Sequence, residues 1–244
     1  MKSEAIVELG KPLQTIESET PEPKGKEVLL KITHSGVCHS DVHIHDGYFD
    51  LGGGNKLPVG QMLNLPHTMG HEIEGEVAAI GPDVTDVEIG ANVVAYPWIG
   101  CGECATCKAG DEHYCNAPRQ LGIQLPGGFA DYCIVPDSKY VLDYTGIRPG
   151  LAATYMCSGL TAFGALKKFV NITDEDHILI MGLGGVGMMG LQFARALFNC
   201  KILAADIDPN KLQAAKGAGA DEVYDTSDES VSYTHLTLPT SDLV

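Results

Sequence analysis

Four closely spaced cysteines constrain the fold of this chain more than any other feature of its sequence. Cys101, Cys104, Cys107 and Cys115 lie in one glycine-bearing segment, WIGCGECATCKAGDEHYC. Thiolates at this spacing can surround one Zn²⁺ ion tetrahedrally, so the segment is predicted to close into a loop around a structural zinc site. Because protein ligands fill all four coordination positions, we expect no chemistry there.

Two other structures are compatible with these cysteines. An iron–sulfur cluster is one, but the ferredoxin pattern continues with C-x3-C-P, whereas the last gap here is seven residues. A pair of disulfides is the other, which a reducing cytosol disfavours. We expect a cytoplasmic protein, because the N-terminus has no apolar stretch of signal-peptide length and the apolar runs are too short to span a bilayer. Cys133 and Cys200 are interpreted as packing residues.

The charge balance narrows the classes of partner. The chain of 244 residues carries 32 acidic and 16 basic side chains, a formal net charge of −16. Nucleic acids and anionic membranes both attract positively charged protein surfaces, so we expect neither as a partner. Hydrophobic residues make up 44% of the chain, which is enough for a packed core.

The pattern of the chain changes near residue 150. Before it, short β-branched stretches alternate with Gly, Pro and Asp turns, which predicts a small β-barrel-like domain with long loops. After it, the pattern predicts a strand (177–181), a helix (186–198), a strand (201–207), a helix (209–216) and a short strand (221–224). Strands that alternate with helices form a parallel α/β sheet.

A second possible metal site is dispersed along the chain. Cys38, His71 and Cys157 supply two thiolates and one imidazole, which is a known catalytic zinc set with an open fourth position. Two thiolates neutralise the charge of the metal, so such a site can bind a neutral alcohol and stabilise its alkoxide. Glu72 is a possible fourth ligand when substrate is absent. Asp41 can accept the free ring N–H of His71, or it can serve as a turn or helix-cap residue.

A glycine-rich turn predicts a dinucleotide site in the second half. Gly182, Gly184, Gly185 and Gly187 follow the apolar strand HILIM and precede an apolar helix. Glycines let the backbone approach a pyrophosphate, and the helix N-terminus supplies partial positive charge. Asp206, 19 positions after Gly187, can accept both ribose hydroxyls and would repel a 2′-phosphate, so the predicted cofactor is NAD.

Taken together and in this order, GVCHSDVH, GHE, the four-cysteine loop and GxGGxG resemble the zinc-dependent alcohol dehydrogenases of the medium-chain superfamily. The resemblance covers residues 1 to about 230. It implies a GroES-like β-barrel catalytic domain followed by a Rossmann domain with a doubly wound parallel sheet. It also implies two zinc ions per chain, one catalytic and one structural, and reversible hydride transfer between a small alcohol or aldehyde and NAD.

The resemblance further assigns roles to single residues. Cys38, His71 and Cys157 match the catalytic zinc ligands, and Glu72 matches the alternate ligand. The remaining matches are a proton relay through Ser40 and His43, a contact to the cofactor phosphate from His39, a contact to the adenosine ribose from Lys211, and a substrate-pocket position at Trp98. Surface or core positions are the alternatives for His43, Lys211 and Trp98.

The expected organisation is a catalytic domain over 1–150 and the first half of a Rossmann domain over 151–230. The last segment, 231–244, has no amphipathic period and resembles a translated sequencing adapter, so we expect a non-native tail there; a divergent native tail is the alternative. A dinucleotide site needs two halves, and we therefore expect this chain to be an incomplete, inactive fragment. The resemblance implies a homodimer or homotetramer for the full-length parent.

Two alternative functions are compatible with the same motifs. A polyol dehydrogenase of the same superfamily has the same zinc ligands and dinucleotide motif and differs in the residues of the substrate pocket. A non-catalytic module stabilised by zinc is the alternative from another class. Zinc-free quinone reductases of the superfamily lack both cysteine sets and are disfavoured.

Overall fold

The computed structural model describes residues 1–227, and the chain divides into two compact units that meet in sequence between Cys157 and Ser158. The first unit contains, in chain order, β1 (Lys2–Ile6), β2 (Gln14–Glu17), β3 (Val28–Gly36), α1 (His39–Asp46), β4 (Tyr48–Asp50), β5 (Lys56–Pro58), β6 (His67–Thr68), β7 (Glu72–Ile80), β8 (Asn92–Ala95), α2 (Ala105–Lys108), β9 (Tyr132–Val135), β10 (Val141–Asp143) and α3 (Ala152–Thr154). The second unit contains α4 (Leu160–Leu166), β11 (His177–Met181), α5 (Gly185–Leu197), β12 (Lys201–Asp206), α6 (Pro209–Gly217) and β13 (Glu222–Asp225). A π-helical turn, Tyr155–Gly159, contains the boundary.

The main sheet of the first unit is antiparallel, in the order β10-β8-β7-β3-β9. Its core consists of the β-branched and apolar residues that the alternating pattern predicts, among them Val28, Leu30, Ile73 and Val77, each completely or almost completely buried. A smaller sheet, in the order β2-β1-β6, accompanies it. The expected strand-rich unit is confirmed, although within residues 1–227 the strand order is open, with β10 and β9 at its edges, rather than closed into a barrel.

The register between β3 and β7 determines which loops lie together. Gly36 at the end of β3 is opposite Glu72 at the start of β7, and His34 is opposite Glu74. The segment after β3 therefore lies beside the segment before β7. A Cβ atom on Gly36 would lie 2.0 Å from Glu72 Oε2, so only glycine allows this close approach.

The second unit has a three-stranded parallel sheet in the order β11-β12-β13. The helix α5 connects β11 to β12 and α6 connects β12 to β13, as the alternating pattern predicts. The observed bounds of these five elements lie within one residue of the predicted ones. Between residue 150 and β11, the chain forms α3, the π-helical turn and α4 in direct succession.

No helix among residues 1–227 is long and apolar enough to cross a membrane. The predicted tail, 231–244, lies outside the described residues. The domain limits expected from the sequence stay a prediction.

Candidate functional site

Two cysteines and one histidine from distant parts of the first unit come together. Cys38 is the N-cap residue of α1, His71 directly precedes β7, and Cys157 lies in the π-helical turn. The Sγ atoms of Cys38 and Cys157 are 3.8 Å apart although 119 positions separate them in sequence. One donor atom from each of the three residues lies within 4.8 Å of the others, a spacing that suits one metal ion.

The imidazole of His71 carries the clearest sign of a missing partner. Its side chain is 0% exposed, and Nδ1 lies 3.2 Å from Asp41 Oδ1. Within residues 1–227, Nε2 makes no hydrogen bond. Leaving a buried polar atom unsatisfied costs about 1–3 kcal/mol, and a metal ion held by Nε2 and the two thiolates would remove that cost. The donor set therefore fits Zn²⁺.

Asp41 combines the two roles that the sequence left open. Its Oδ2 atom accepts a hydrogen bond of 2.8 Å from the backbone N–H of Cys38, which is a helix-capping contact. Its Oδ1 atom faces His71. One buried carboxylate therefore orients both Cys38 and His71.

The three side chains of this cluster shift one another's pKa values. The neighbouring Cys157 and His71 side chains lower the pKa of the Cys38 thiol to about 3. The neighbouring Cys38 sulfur and burial raise the pKa of Cys157. Burial lowers the pKa of His71, but Asp41 and Cys38 outweigh it and raise that pKa to about 9. A metal ion bound here would displace the protons of His71 and Cys157.

The other predicted active-site residues are Glu72, Trp98 and three residues of α1. Glu72 is buried, but it is not among the three residues whose donor atoms lie within 4.8 Å of one another. The ring of Trp98 is centred 5.8 Å from that of His71. Ser40, His39 and His43 all lie on α1, and the rings of the two histidines are 4.8 Å apart.

The four-cysteine loop forms a second compact cluster. One Sγ atom from each of Cys101, Cys104, Cys107 and Cys115 lies within 4.8 Å of the others. Separations of 3.5–3.9 Å are too long for a disulfide, and all eight cysteines of the chain, which lie in the described part, are free. The disulfide alternative is therefore excluded. Backbone N–H groups of residues 101, 104, 107 and 117 point to these sulfurs at 3.3–3.4 Å, as they do around thiolates.

The glycine-rich turn has the geometry of an anion-binding helix start. Gly182 has φ of +80°, and a Cβ atom on Gly187 would lie 1.8 Å from the Gly182 carbonyl oxygen, so both positions require glycine. The helix α5 begins at Gly185 without a side-chain cap, which leaves its first N–H groups available to a phosphate. Gly184 is the residue directly before this helix.

Asp206 lies at the end of β12, beside this turn. Its Oδ2 atom accepts a hydrogen bond of 2.6 Å from Leu183 N and lies 3.7 Å from Lys211 Nζ. These backbone and lysine contacts lower the pKa of Asp206. A cavity of about 160 Å³ is lined by Asp206, Gly182, Met181, Ala205, Ile207 and Thr226. The predicted residues Gly182, Asp206 and Lys211 therefore lie together.

Glu74 is a buried acidic residue with several polar contacts, and it is not among the site residues predicted from the sequence. It is 1% exposed on β7, and its carboxylate contacts His34, Tyr144 and the backbone of Gly150. The signal was available, because an acidic residue inside the run EIEGEVAAI is two positions from Glu72 and thus on the same face of the strand.

An open β unit with two candidate metal clusters, followed by a Rossmann-type unit, defines a zinc-type medium-chain dehydrogenase. The family model for the alcohol dehydrogenase GroES-like domain matches residues 24–145, and that for the zinc-binding dehydrogenase matches residues 185–238. The chain belongs to the zinc-dependent alcohol dehydrogenases of the medium-chain superfamily.

Two NAD-dependent alcohol dehydrogenases resemble this chain over most of its length. It is 40% identical over 229 residues to an NAD-dependent alcohol dehydrogenase of Saccharolobus solfataricus, covering 93% of this chain and 65% of the relative. A relative with the same description from Sulfurisphaera tokodaii is 39% identical, with 94% and 65% covered. The chain thus spans 65% of the length of these relatives.

Solved structures show the same architecture. The alcohol dehydrogenase from Aeropyrum pernix superposes with a TM-score of 0.82 at 28% identity, covering 96% of this chain and 67% of that one. A cobalt- and zinc-bound alcohol dehydrogenase from Pyrobaculum aerophilum gives 0.78 at 31% identity, with 91% and 65% covered.

Proposed function

We propose that the whole protein oxidises an alcohol to an aldehyde or ketone, reversibly, with hydride transfer to NAD. The observation that carries this proposal is the convergence of Cys38, His71 and Cys157 around a buried, unsatisfied imidazole nitrogen. These three residues would hold a catalytic zinc ion, with Glu72 as alternate ligand, and the four-cysteine loop would hold a structural one. The relatives named above are alcohol dehydrogenases, which favours this reaction over polyol oxidation.

In this proposal, four residues of the first unit besides the metal ligands have separate roles. Zinc, when bound, supplies Lewis-acid polarisation of the substrate oxygen. Asp41 keeps His71 in the orientation that directs Nε2 to the metal. Ser40 and His43 are proposed to take the alcohol proton onward along α1, a task that suits a histidine. Trp98 is proposed to line the substrate pocket.

The second unit binds the dinucleotide in this proposal. Gly182, Gly184, Gly185 and Gly187 bring the backbone close to the pyrophosphate, and Asp206 with Lys211 holds the adenosine ribose. His39 contacts the cofactor phosphate. The proposed substrate is a small alcohol or aldehyde. The proposed compartment is the cytoplasm, because free thiols persist in a reducing environment. The whole protein is proposed to be a homodimer or homotetramer.

Metal stoichiometry tests the two zinc sites directly. We expect elemental analysis to find two zinc ions per chain, one in Cys38→Ser and one in Cys101→Ser. Each substitution removes one thiolate from one cluster only, so each variant is the control for the other. Iron in place of zinc, or no change in Cys38→Ser, would contradict the proposed sites.

Activity is tested in the whole protein by NADH formation with primary, secondary, aromatic and polyol substrates. We expect Cys38→Ala to abolish turnover, and His43→Ala to lower kcat by about 10²-fold or more while both zinc ions are retained. Preference for polyols in this panel would favour the alternative reaction instead.

A further inference from the structure

Cys157 directly follows residues 150–156, a segment that contains the short helix α3. The helix α3 before it contains only Ala152–Thr154 and has no side-chain cap at Leu151. The π-helical turn that carries Cys157 follows immediately, and π-helical turns are rare and are found mostly at functional sites. The π-helical turn continues directly into α4, so Cys157 lies inside one helical run, and the start of that run is positioned by contacts of α3 with the sheet of the first unit.

Glu74 holds the N-terminal end of the segment 150–156. The backbone N–H of Gly150 donates to both carboxylate oxygens of Glu74, at 2.9 and 3.1 Å. The carboxylate of Glu74 also contacts His34 Nδ1 at 3.0 Å and the Tyr144 hydroxyl at 3.2 Å. A backbone hydrogen bond to a buried carboxylate is charge-assisted and therefore strong.

Trp98 holds the C-terminal end of the same segment. Its indole Nε1–H donates to the carbonyl oxygen of Met156, the residue before Cys157, at 2.9 Å. The same indole ring lies 5.8 Å from the ring of His71. Trp98 therefore contacts the neighbourhood of two proposed metal ligands with one rigid side chain.

Between these two attachments, the segment lies on the main sheet. Ala152 and Ala153 are each 1% exposed, and α3 packs against β7, β3 and β8. Their small side chains let the helix approach the strands closely. The sheet that orders His71 and the end of β3 thus also orders the path to Cys157.

We propose that Glu74 and Trp98 are positioning residues for Cys157: together they clamp residues 150–156 to the sheet and hold the Cys157 sulfur at the metal site. The inference rests on the proposed function, because it assumes that Cys38, His71 and Cys157 bind zinc. Neither Glu74 nor Trp98 touches the metal in this role.

Zinc affinity at the Cys38–His71–Cys157 site is the measurement. Competition with a chelator is used to compare Glu74→Ala and Trp98→Phe with the unsubstituted chain, and the four-cysteine zinc serves as internal reference. We expect each substitution to weaken zinc binding at the Cys38 site by about 10–100-fold, the usual effect of losing a group that orients a ligand. Unchanged affinity in both variants would overturn the proposal.

Matched variants separate positioning from general stability. Glu74→Gln keeps an acceptor for the Gly150 N–H and is expected to restore most of the affinity. Tyr144→Phe removes another hydrogen bond to the same carboxylate without touching residues 150–156, and is expected to bind zinc normally. An equal loss in Tyr144→Phe would contradict the clamp. Should Glu74→Ala fail to fold, Trp98→Phe alone decides.

A spectroscopic readout follows the sulfur directly. In Co²⁺-loaded protein, thiolate-to-cobalt charge-transfer absorption reports the number of bound sulfurs, and subtracting the spectrum of the same variant carrying Cys38→Ser isolates this site. We expect a weaker band in Trp98→Phe, because Cys157 leaves the metal. An unsubstituted chain that binds only the four-cysteine zinc would refute the proposed function, whereas two tightly bound zinc ions in every variant would refute this inference alone.

Discussion

Asp206 serves two purposes with one carboxylate. One oxygen accepts from Leu183 N and so shapes the glycine-rich turn, while the other accepts from Asp208 N at 2.9 Å. The same negative charge lies where a ribose is proposed to bind. Shape and charge at this position are therefore separable by substitution.

In the whole protein, we expect Asp206→Gly to relax the preference for NAD over NADP by at least about tenfold in kcat/KM, equivalent to ~1.4 kcal/mol, because the charge that repels a 2′-phosphate is lost. Asp206→Asn keeps an acceptor for Leu183 N and is the matched control for turn shape. It should relax the preference as well. A ratio of kcat/KM for the two cofactors that stays constant in both variants would show that Asp206 does not select the cofactor.

His67 is a buried titratable group outside the metal sites. It is 4% exposed on β6, where it is paired with Ile6, and Nε2 lies 3.2 Å from the Gly122 carbonyl oxygen. Burial lowers the pKa of His67, and the Gly122 contact only partly offsets this effect. The neutral imidazole is thus the form that the fold accommodates.

The sign of the resulting pH dependence follows from this lowered pKa. Below the unfolded-state pKa of about 6.5 the unfolded chain takes up a proton that folded His67 does not, so the free energy of unfolding falls as pH falls. The contribution is complete above about pH 6.5, and its slope is at most ~1.4 kcal/mol per pH unit. We expect His67→Gln, measured by urea unfolding between pH 7.5 and about 5, to lose this slope. Identical slopes in the two proteins would exclude His67 as its source.

At the scale of elements, the four-cysteine loop depends on the residue before it. A Cβ atom on Gly100 would lie 2.5 Å from Cys107 Sγ and 3.1 Å from Cys115 Cβ. The Gly100 N–H also donates to Glu112, whose carboxylate is bound by Lys139 at 2.6 Å and by the Tyr140 hydroxyl. The loop is thus packed against its own sulfurs and attached to the turn before β10.

We expect Gly100→Ala to weaken zinc binding by the four-cysteine loop by about 5–150-fold, since overpacking at a tight contact costs roughly 1–3 kcal/mol. Zinc retained after dialysis against a chelator measures the effect. Gly164→Ala in α4 is the matched control, because nothing lies within 4 Å of its Cβ position. Equal zinc retention in the two variants would mean that the loop accommodates the added methyl group without losing zinc affinity.

At the scale of the whole molecule, the two units carry different tasks. Both candidate metal clusters found among residues 1–227 lie in the first unit, and so does Trp98, the only tryptophan of the chain. The second unit carries the glycine-rich turn and Asp206. Metal binding and dinucleotide binding are therefore assigned to separate compact units.

We expect a strong chelator to lower the thermal midpoint of the first unit by about 5–10 °C, because zinc at 100 times its Kd contributes ~2.7 kcal/mol. The midpoint of the second unit should not move. Calorimetry resolves the transitions, and Trp98 fluorescence identifies the one that belongs to the first unit. Equal shifts of both transitions would contradict this separation, and a chain with Cys38→Ser and Cys101→Ser together is the chelator-insensitive control.

The sequence by itself determined the features whose parts lie close together in the chain. The four-cysteine loop, the glycine-rich turn and the strand–helix alternation after residue 150 follow from local spacing, because short segments encode their own backbone geometry. The predicted elements of the second unit accordingly agree with the structure within one residue.

Only the tertiary structure decided what long-range packing controls. The register of β3 against β7 brings Cys38 to His71, and the clamped segment after Gly150 brings Cys157 across 119 positions to within 3.8 Å of Cys38. Neither the unsatisfied Nε2 of His71 nor the contacts of Glu74 could be read from spacing. The physical reason is that register and burial depend on the whole core of the unit, whereas local patterns depend on a few neighbouring residues.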